Sequence, residues 1–149
     1  MTLTLHDLRL GETFSCGSFT LSREEIIDFA LRFDPQPWHL SDAGAAASYF
    51  ETLCASGLHS QGMAIGLMVR AIADVQVVAG GSLHEARFFV PVRPAQTYEV
   101  SAKWVSARPS STNPTRGVAS IEIDMHDTAG ARVMQCGVTY ILGRIVPGG

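Results

Sequence analysis

The chain has 149 residues, 46% of them hydrophobic and 17% charged, with a formal net charge of −3. Such a composition is too apolar for a disordered chain, and the length fits one domain, residues 1–149, with a sizeable core. The small negative charge argues against a nucleic-acid partner, which needs clustered Lys and Arg.

The first predicted elements are a weak strand and a helix that ends at a proline. The strand is ETFSCGSFTL, residues 12–21. A helix over residues 23–33 follows, because Ser22 and Glu25 form a capping box and apolar residues recur behind it at helical spacing. Pro35 ends this helix, since the residue before a proline is pushed out of the α region.

Two further helices are predicted before the chain turns to strands. A short alanine-rich helix covers residues 42–50, with Ser41 as its cap. A longer helix covers residues 60–78 and ends at Gly80-Gly81, a typical helix stop. Its circumference is apolar nearly all round, which indicates a buried helix.

The second half of the chain predicts four strands. LHEARFFV comes first, TYEVSAKWV and GVASIEIDMH alternate apolar and polar residues, and DTAG is a hairpin turn before a last strand over residues 132–142. Strands joined by short turns pair antiparallel. A curved antiparallel sheet wrapped around one long buried helix satisfies both patterns, so the predicted class is α+β.

The turn FDPQPWHL, residues 33–40, carries the first candidate site. Two prolines stiffen the backbone between Asp34 and His39, so the carboxylate and the imidazole can converge reproducibly. A general acid and a general base need such precision, because proton transfer requires hydrogen-bond contact with the reacting group or its water. In a largely apolar site the pKa of Asp34 is expected to be raised.

The start of the long helix carries the second candidate site. Gly57, His59 and Ser60 lie where free N–H groups and the positive end of the helix dipole face outward. That arrangement suits a carbonyl oxygen that develops negative charge. Structural explanations remain open at both sites: an Asp before Pro often ends a helix, His39 can be a packed residue, and Ser60 or Ser56 can be an N-cap.

Cysteine use and apolar segments bear on location. Three cysteines are odd in number and far apart, with no CxxC or CxxH, so neither a disulfide framework nor a zinc site is predicted. The amino end lacks the pattern of a signal peptide. Arg70 and Asp74 interrupt the apolar stretch 63–81, where ionised groups would be costly in lipid. We therefore expect a cytoplasmic protein without a membrane partner.

Three blocks of the sequence resemble the MaoC-like acyl-CoA dehydratases, relatives of the R-specific enoyl-CoA hydratases. FDPQPWHLSDAGAAAS is similar to the family signature Asp-x-Asn-Pro-x-His, which is followed by an Asp and an alanine-rich helix. ASGLHSQGM resembles the segment that ends in His-Gly, and FFVPVRPAQTYEV resembles the strand pair around Pro-Val-Arg-Pro-Gly-Asp-Thr. The blocks keep the family order, and the similarity spans about residues 19–142.

The resemblance implies a hot-dog fold and a hydro-lyase active in fatty acid metabolism. Asp34 and His39 would hold one water that adds across the C2–C3 double bond of an enoyl thioester. A backbone N–H at Ser60, beside Gly57 and His59, would polarise the thioester carbonyl. No metal or organic cofactor is implied. The expected partners are an acyl-CoA or acyl carrier protein thioester and a second copy of the chain, in a homodimer.

The chain departs from the family pattern at several positions. Gln36 replaces the usual Asn, and Ser60 replaces Gly. Hydratases often carry, nine positions after the helix-start histidine, a Ser that contacts the catalytic Asp; that position is Met68 here, so we expect more apolar surroundings for Asp34. Two alternatives stay open: a hot-dog acyl-CoA thioesterase, and a non-catalytic acyl-thioester-binding subunit.

Overall fold

The computed structural model describes residues 2–143 as a five-stranded antiparallel sheet packed against helices. The strands are β1 (Phe14–Thr20), β2 (Val77–Phe88), β3 (Thr97–Pro109), β4 (Gly117–Asp127) and β5 (Arg132–Leu142). Their order across the sheet is β1-β3-β4-β5-β2, so β1 and β2 form the two edges. Register shifts interrupt all four strand pairings, and such irregularities let a sheet bend around a helix.

Three α-helices precede most of the sheet: α1 (Arg23–Phe33), α2 (Asp42–Ala46) and α3 (Gly57–Ala71). The predicted capping box at the start of α1 is confirmed. The hydroxyl of Ser22 accepts the backbone N–H of Glu25 at 3.1 Å, and the Glu25 carboxylate accepts the backbone N–H of Ser22 at 3.4 Å.

The core lies between α3 and one face of the sheet. The fully buried positions of α3 and its C-cap recur every fourth residue, as one helix face requires: Ser60, Ala64, Met68 and Ile72. In β3 the predicted alternation is confirmed, with every second side chain buried from Tyr98 to Trp104. The observed architecture is the α+β arrangement predicted from the sequence.

Three predicted helix boundaries are wrong. The long helix α3 begins at Gly57, three residues before the predicted start. The alanine-rich helix ends at Ala46, and α3 ends at Ala71, so the valine-rich run that follows belongs to β2 and pairs with β5. Gly81 lies within that strand, where an added Cβ would come within 3.2 Å of the Thr139 carbonyl oxygen. Periodicity alone does not separate a short apolar helix segment from a strand. Among residues 2–143, no helix is long and apolar enough to span a membrane.

Candidate active site

The proline turn brings Asp34 and His39 together. Asp34 closes α1 by donating its N–H to the Ala30 carbonyl at 2.9 Å, and its ψ of 71° already lies outside the helical region, as expected before Pro35. The chain then forms a 3₁₀ turn over Pro37–His39. As a result, Nε2 of His39 lies 3.5 Å from Oδ2 of Asp34.

A backbone carbonyl sets the tautomer of His39. The side chain is 6% exposed, and its Nδ1 lies 2.7 Å from the carbonyl oxygen of Cys54. Because a carbonyl oxygen only accepts hydrogen bonds, Nδ1 must carry a proton. In the neutral ring, Nε2 is therefore the basic nitrogen, and it is the nitrogen that faces Asp34.

Two side chains donate hydrogen bonds to the Asp34 carboxylate. The hydroxyl of Ser56 donates to Oδ2 at 2.7 Å, and the amide of Gln36 donates to Oδ1 at 2.8 Å. Burial raises the pKa of Asp34, but these two hydrogen bonds and the charge of His39 outweigh it, so the pKa lies below its ordinary value. The expectation of a raised pKa is wrong, because the carboxylate is only partly buried and lies beside two hydrogen-bond donors.

Met68 does not shape the surroundings of Asp34 as expected from the sequence. Its side chain is fully buried in the hydrophobic core, and it is absent from the residues that line the cavity beside Asp34. The hydroxyl next to the carboxylate comes from Ser56 instead, one turn before Ser60. The surroundings of Asp34 are therefore more polar than predicted.

A cavity of about 800 Å³ opens beside the pair. Its polar wall includes Asp34, His39, Gly57 and Ser60. The rest of the wall is mostly apolar and aromatic, with Trp38, Phe50, Phe88, Phe89, Val92 and Met134 among its members. A cavity of this size with a few convergent polar groups is the usual form of a small-molecule site.

The first turn of α3 borders the cavity, but its free N–H is not the expected one. The N–H of Ser60 donates to the Ser56 carbonyl at 3.0 Å, and the N–H of Leu58 donates to the Ser56 hydroxyl at 3.2 Å. Within residues 2–143, the N–H groups of Gly57 and His59 have no acceptor, and of these two residues only Gly57 lines the cavity. Ser60 thus contributes to the cavity wall, while the backbone donor left for a ligand at this wall is Gly57.

His59 lies away from the cavity. Its ring stacks on Phe29 of α1, with 4.4 Å between the ring centroids, and it is not among the cavity-lining residues. Burial lowers the pKa of His59, although the charge of Glu25 opposes this effect. Its Nδ1 is buried without a hydrogen-bond partner in the part of the chain that the structure describes. That His59 contacts a substrate stays a prediction.

Sequence reasoning missed three groups around the pair. Ser56 was visible only as a possible helix cap, and Gln36 only as a departure from the family signature. The Cys54 carbonyl could not be recognised in the sequence, because every residue has a backbone carbonyl. Within the described residues, no cluster of three or more His, Cys, Asp or Glu side chains is placed to hold a metal ion.

Known proteins resemble this chain over most of its length. The MaoC-like dehydratase from Rhodospirillum rubrum is 27% identical, with 97% of this chain and 99% of that chain covered and a TM-score of 0.86. The (R)-hydratase from A. caviae involved in PHA biosynthesis is 19% identical, with 90% and 96% covered and a TM-score of 0.71, a likeness that shows the fold.

A protein of Bacillus subtilis and a family model also match this chain. The uncharacterized protein YdeM of Bacillus subtilis strain 168 is 27% identical over 93 residues, which are 62% of this chain and 66% of that protein, just under two thirds of its length. The model of the MaoC like domain matches residues 9–124, well over half of this chain. The protein therefore belongs to the MaoC-like dehydratase family and has its hot-dog fold.

Proposed function

We propose that the protein is a hydro-lyase that adds water to, or removes it from, the C2–C3 bond of an acyl thioester. The observation that carries this proposal is the pairing of Nε2 of His39 with Oδ2 of Asp34 at the wall of a largely apolar cavity. The separation of 3.5 Å is too long for a hydrogen bond between the two atoms. One water that donates to both atoms would have its oxygen lone pairs directed at the substrate.

The proposed reaction uses His39 as the group that moves the proton. Nε2 takes a proton from the water as the water oxygen bonds to C3, and the π electrons move through C2 to the thioester oxygen. The same nitrogen then gives its proton to C2, which restores neutral His39. Because oxygen and proton arrive from one side, the addition is syn. Dehydration is the reverse sequence.

Asp34 has a different part in this proposal. Its lowered pKa keeps it ionised at neutral pH, so it accepts a hydrogen bond from the water and stabilises the imidazolium that forms. The unbonded N–H of Gly57 is the proposed donor to the thioester oxygen, where enolate charge grows in the transition state. The apolar wall would hold the acyl chain of a coenzyme A or acyl carrier protein thioester.

The exposed edge of the sheet supports the proposed homodimer. β2 has β5 on one side and no strand on the other within residues 2–143. Its Leu83, Val78 and Phe88 side chains are 67%, 47% and 53% exposed, an apolar edge that a second copy would cover. The free cysteines support the proposed cytoplasmic location. We also propose that residues 1–149 form one domain that acts without a metal or organic cofactor.

The test is the hydration of crotonyl-CoA, followed by the loss of the absorbance of the conjugated double bond. His39→Ala should lower turnover about 10³-fold while the protein stays folded, because general acid–base groups contribute 10²–10⁴-fold. Asp34→Asn should lower it about as much, because it removes the charge that holds the water and stabilises the imidazolium. Unchanged rates in both variants would reject the dyad. Release of free thiol would point to the thioesterase, and binding of acyl-CoA without any product would point to the non-catalytic subunit.

A further inference from the structure

We infer that Arg93 is a positioning residue that holds the backbone segment on which the orientation of His39 depends. This inference rests on the proposed function of the same site. The segment covers residues 47–56, contains no helix or strand, and passes along the cavity. It carries Phe50 in the cavity wall, the Cys54 carbonyl that binds His39, and the Ser56 hydroxyl that binds Asp34.

The guanidinium of Arg93 binds three carbonyl oxygens of this segment. One nitrogen donates to the carbonyl of Thr52 and, at 3.4 Å, to that of Leu53; the other donates to the carbonyl of Phe50 at 2.9 Å. The Phe50 carbonyl also accepts the backbone N–H of Thr52 at 2.7 Å, whereas the carbonyls of Thr52 and Leu53 accept no backbone N–H within residues 2–143 and depend on a side chain or water. A planar guanidinium with a fork of donors can bind several acceptors in one geometry, which a lysine cannot do.

The backbone of Arg93 is itself attached to the sheet. Its N–H donates to the hydroxyl of Tyr98 at 2.8 Å, and Tyr98 is a β3 residue that is only 1% exposed. Next to it, the carbonyl of Val92 accepts the N–H of Ala55 at 2.8 Å. The contacts therefore run from the buried sheet through Arg93 to the residues before Cys54, while the neighbouring Val92 holds the residue after it.

His39 lies at the end of this chain of contacts. Its Nδ1 donates to the Cys54 carbonyl at 2.7 Å, and the Cys54 N–H donates back to the Trp38 carbonyl at 3.2 Å. Without the Arg93 side chain, only the backbone hydrogen bonds from Ala55 to Val92 and from Cys54 to Trp38 would hold the carbonyl that selects the tautomer of His39, so its position would be less fixed. A misplacement of about 1 Å in a catalytic group can cost about 10²-fold in rate.

The experiment combines turnover with ¹⁵N NMR of the His39 ring. In the wild type the two ring nitrogens should report one tautomer, with the proton on Nδ1. In Arg93→Ala the shifts of the two nitrogens should move toward each other, and kcat for crotonyl-CoA should fall about 10²-fold while KM changes less. Added to Arg93→Ala at concentrations below those that unfold the protein, guanidinium ions should restore the nitrogen shifts and kcat. Sodium ions at equal ionic strength should restore neither.

Two further variants keep the inference falsifiable. Arg9→Ala removes an exposed arginine that does not line the cavity and should match the wild type in both measurements. Arg93→Lys keeps the charge but not the fork of donors, so it should show part of the fall in kcat and part of the change in nitrogen shifts. This variant provides the test if Arg93→Ala does not fold. Wild-type nitrogen shifts in a folded Arg93 variant would overturn the inference. The NMR signal does not depend on turnover, so a wild type without hydratase activity would reject the proposed function alone.

Discussion

The two segments that meet at the cavity differ in how they present their histidines. In the proline turn, one nitrogen of His39 binds a carbonyl and the other faces a carboxylate. In the first turn of α3, His59 stacks on an aromatic ring and leaves Nδ1 without a partner among residues 2–143. Both histidines are buried, and both lie in blocks that resemble the family motifs, but only His39 lines the cavity.

Backbone geometry explains the difference. On α3, Gly57, Ser60 and Gln61 are spaced three and four residues apart, so they share one helix face, and that face borders the cavity. His59 projects from another face, toward α1. The turn has no such periodicity, and its prolines aim Asp34 and His39 at each other. A histidine in a motif is therefore placed by the local backbone, and its residue type does not settle its contacts.

Among substitutions in α3 and its N-cap, the largest effect is expected where the two segments are joined, at Ser56. Ser56→Ala removes a hydrogen bond to a charged group, which we expect to lower kcat/KM roughly tenfold. It should also raise the pKa of Asp34, which ¹³C NMR of the carboxyl group would measure.

In the wild type the folded-state pKa of Asp34 lies below its unfolded value, so Asp34 stabilises the fold at neutral pH. This contribution is lost as the pH falls through the folded-state pKa.

Ser22→Ala is the matched control for this prediction. It removes a similar helix cap, at 3.1 Å from the Glu25 N–H, without touching Asp34. Ser22→Ala should lose about 1 kcal/mol of unfolding free energy, and Ser56→Ala should lose more at neutral pH, because it also loses the hydrogen bond to Asp34. If both left the Asp34 titration unchanged, Ser56 would act as a cap alone.

A smaller effect is expected from closing the α3 side of the cavity. A Cβ added at Gly57 would lie 2.7 Å from the ring of Phe88, whose half-exposed side chain must move. We expect Gly57→Ala to raise KM about fivefold with little change in kcat, since the ring shift costs about 1 kcal/mol.

Gly62→Ala on the same helix is the control, because its added Cβ would meet no atom within 4 Å. Gly57→Ala combined with Phe88→Ala should show the KM of Phe88→Ala alone, because Phe88 itself lines the cavity. A KM above that of Phe88→Ala would mean that Gly57 acts through its backbone rather than through space for the ring.

The smallest effect on turnover is expected at His59. His59→Phe should leave kcat/KM unchanged, because the ring lies outside the cavity. Burial lowers the pKa of His59 in the folded protein below its ordinary value of 6.5. The contribution of the neutral ring to stability is therefore complete above pH 6.5 and is lost as the pH falls through the folded-state pKa. Thermal unfolding from neutral to acid pH should show a flatter dependence in the variant. A large loss of turnover would instead place His59 at the substrate.

Local patterns were sufficient wherever neighbouring residues decide the structure. The capping box of Ser22 and Glu25, the stop at Pro35 and the alternation of β3 depend on contacts within a few residues, and all three are confirmed. The end of α3 was not predictable in this way. The apolar residues after Ala71 suit a helix or a strand equally. They form a strand because they pair with β5, some sixty residues later in the chain.

The candidate site shows the same difference between local and long-range contacts. By itself, the sequence determined the stiff turn that holds Asp34 and His39, because proline restricts the backbone of its immediate neighbours. Only the tertiary structure decided which hydroxyl, amide and carbonyl meet those two side chains. Ser56 and Cys54 lie 22 and 15 residues away from their partners, and their contacts exist only once α3 and the segment before it have packed beside the turn.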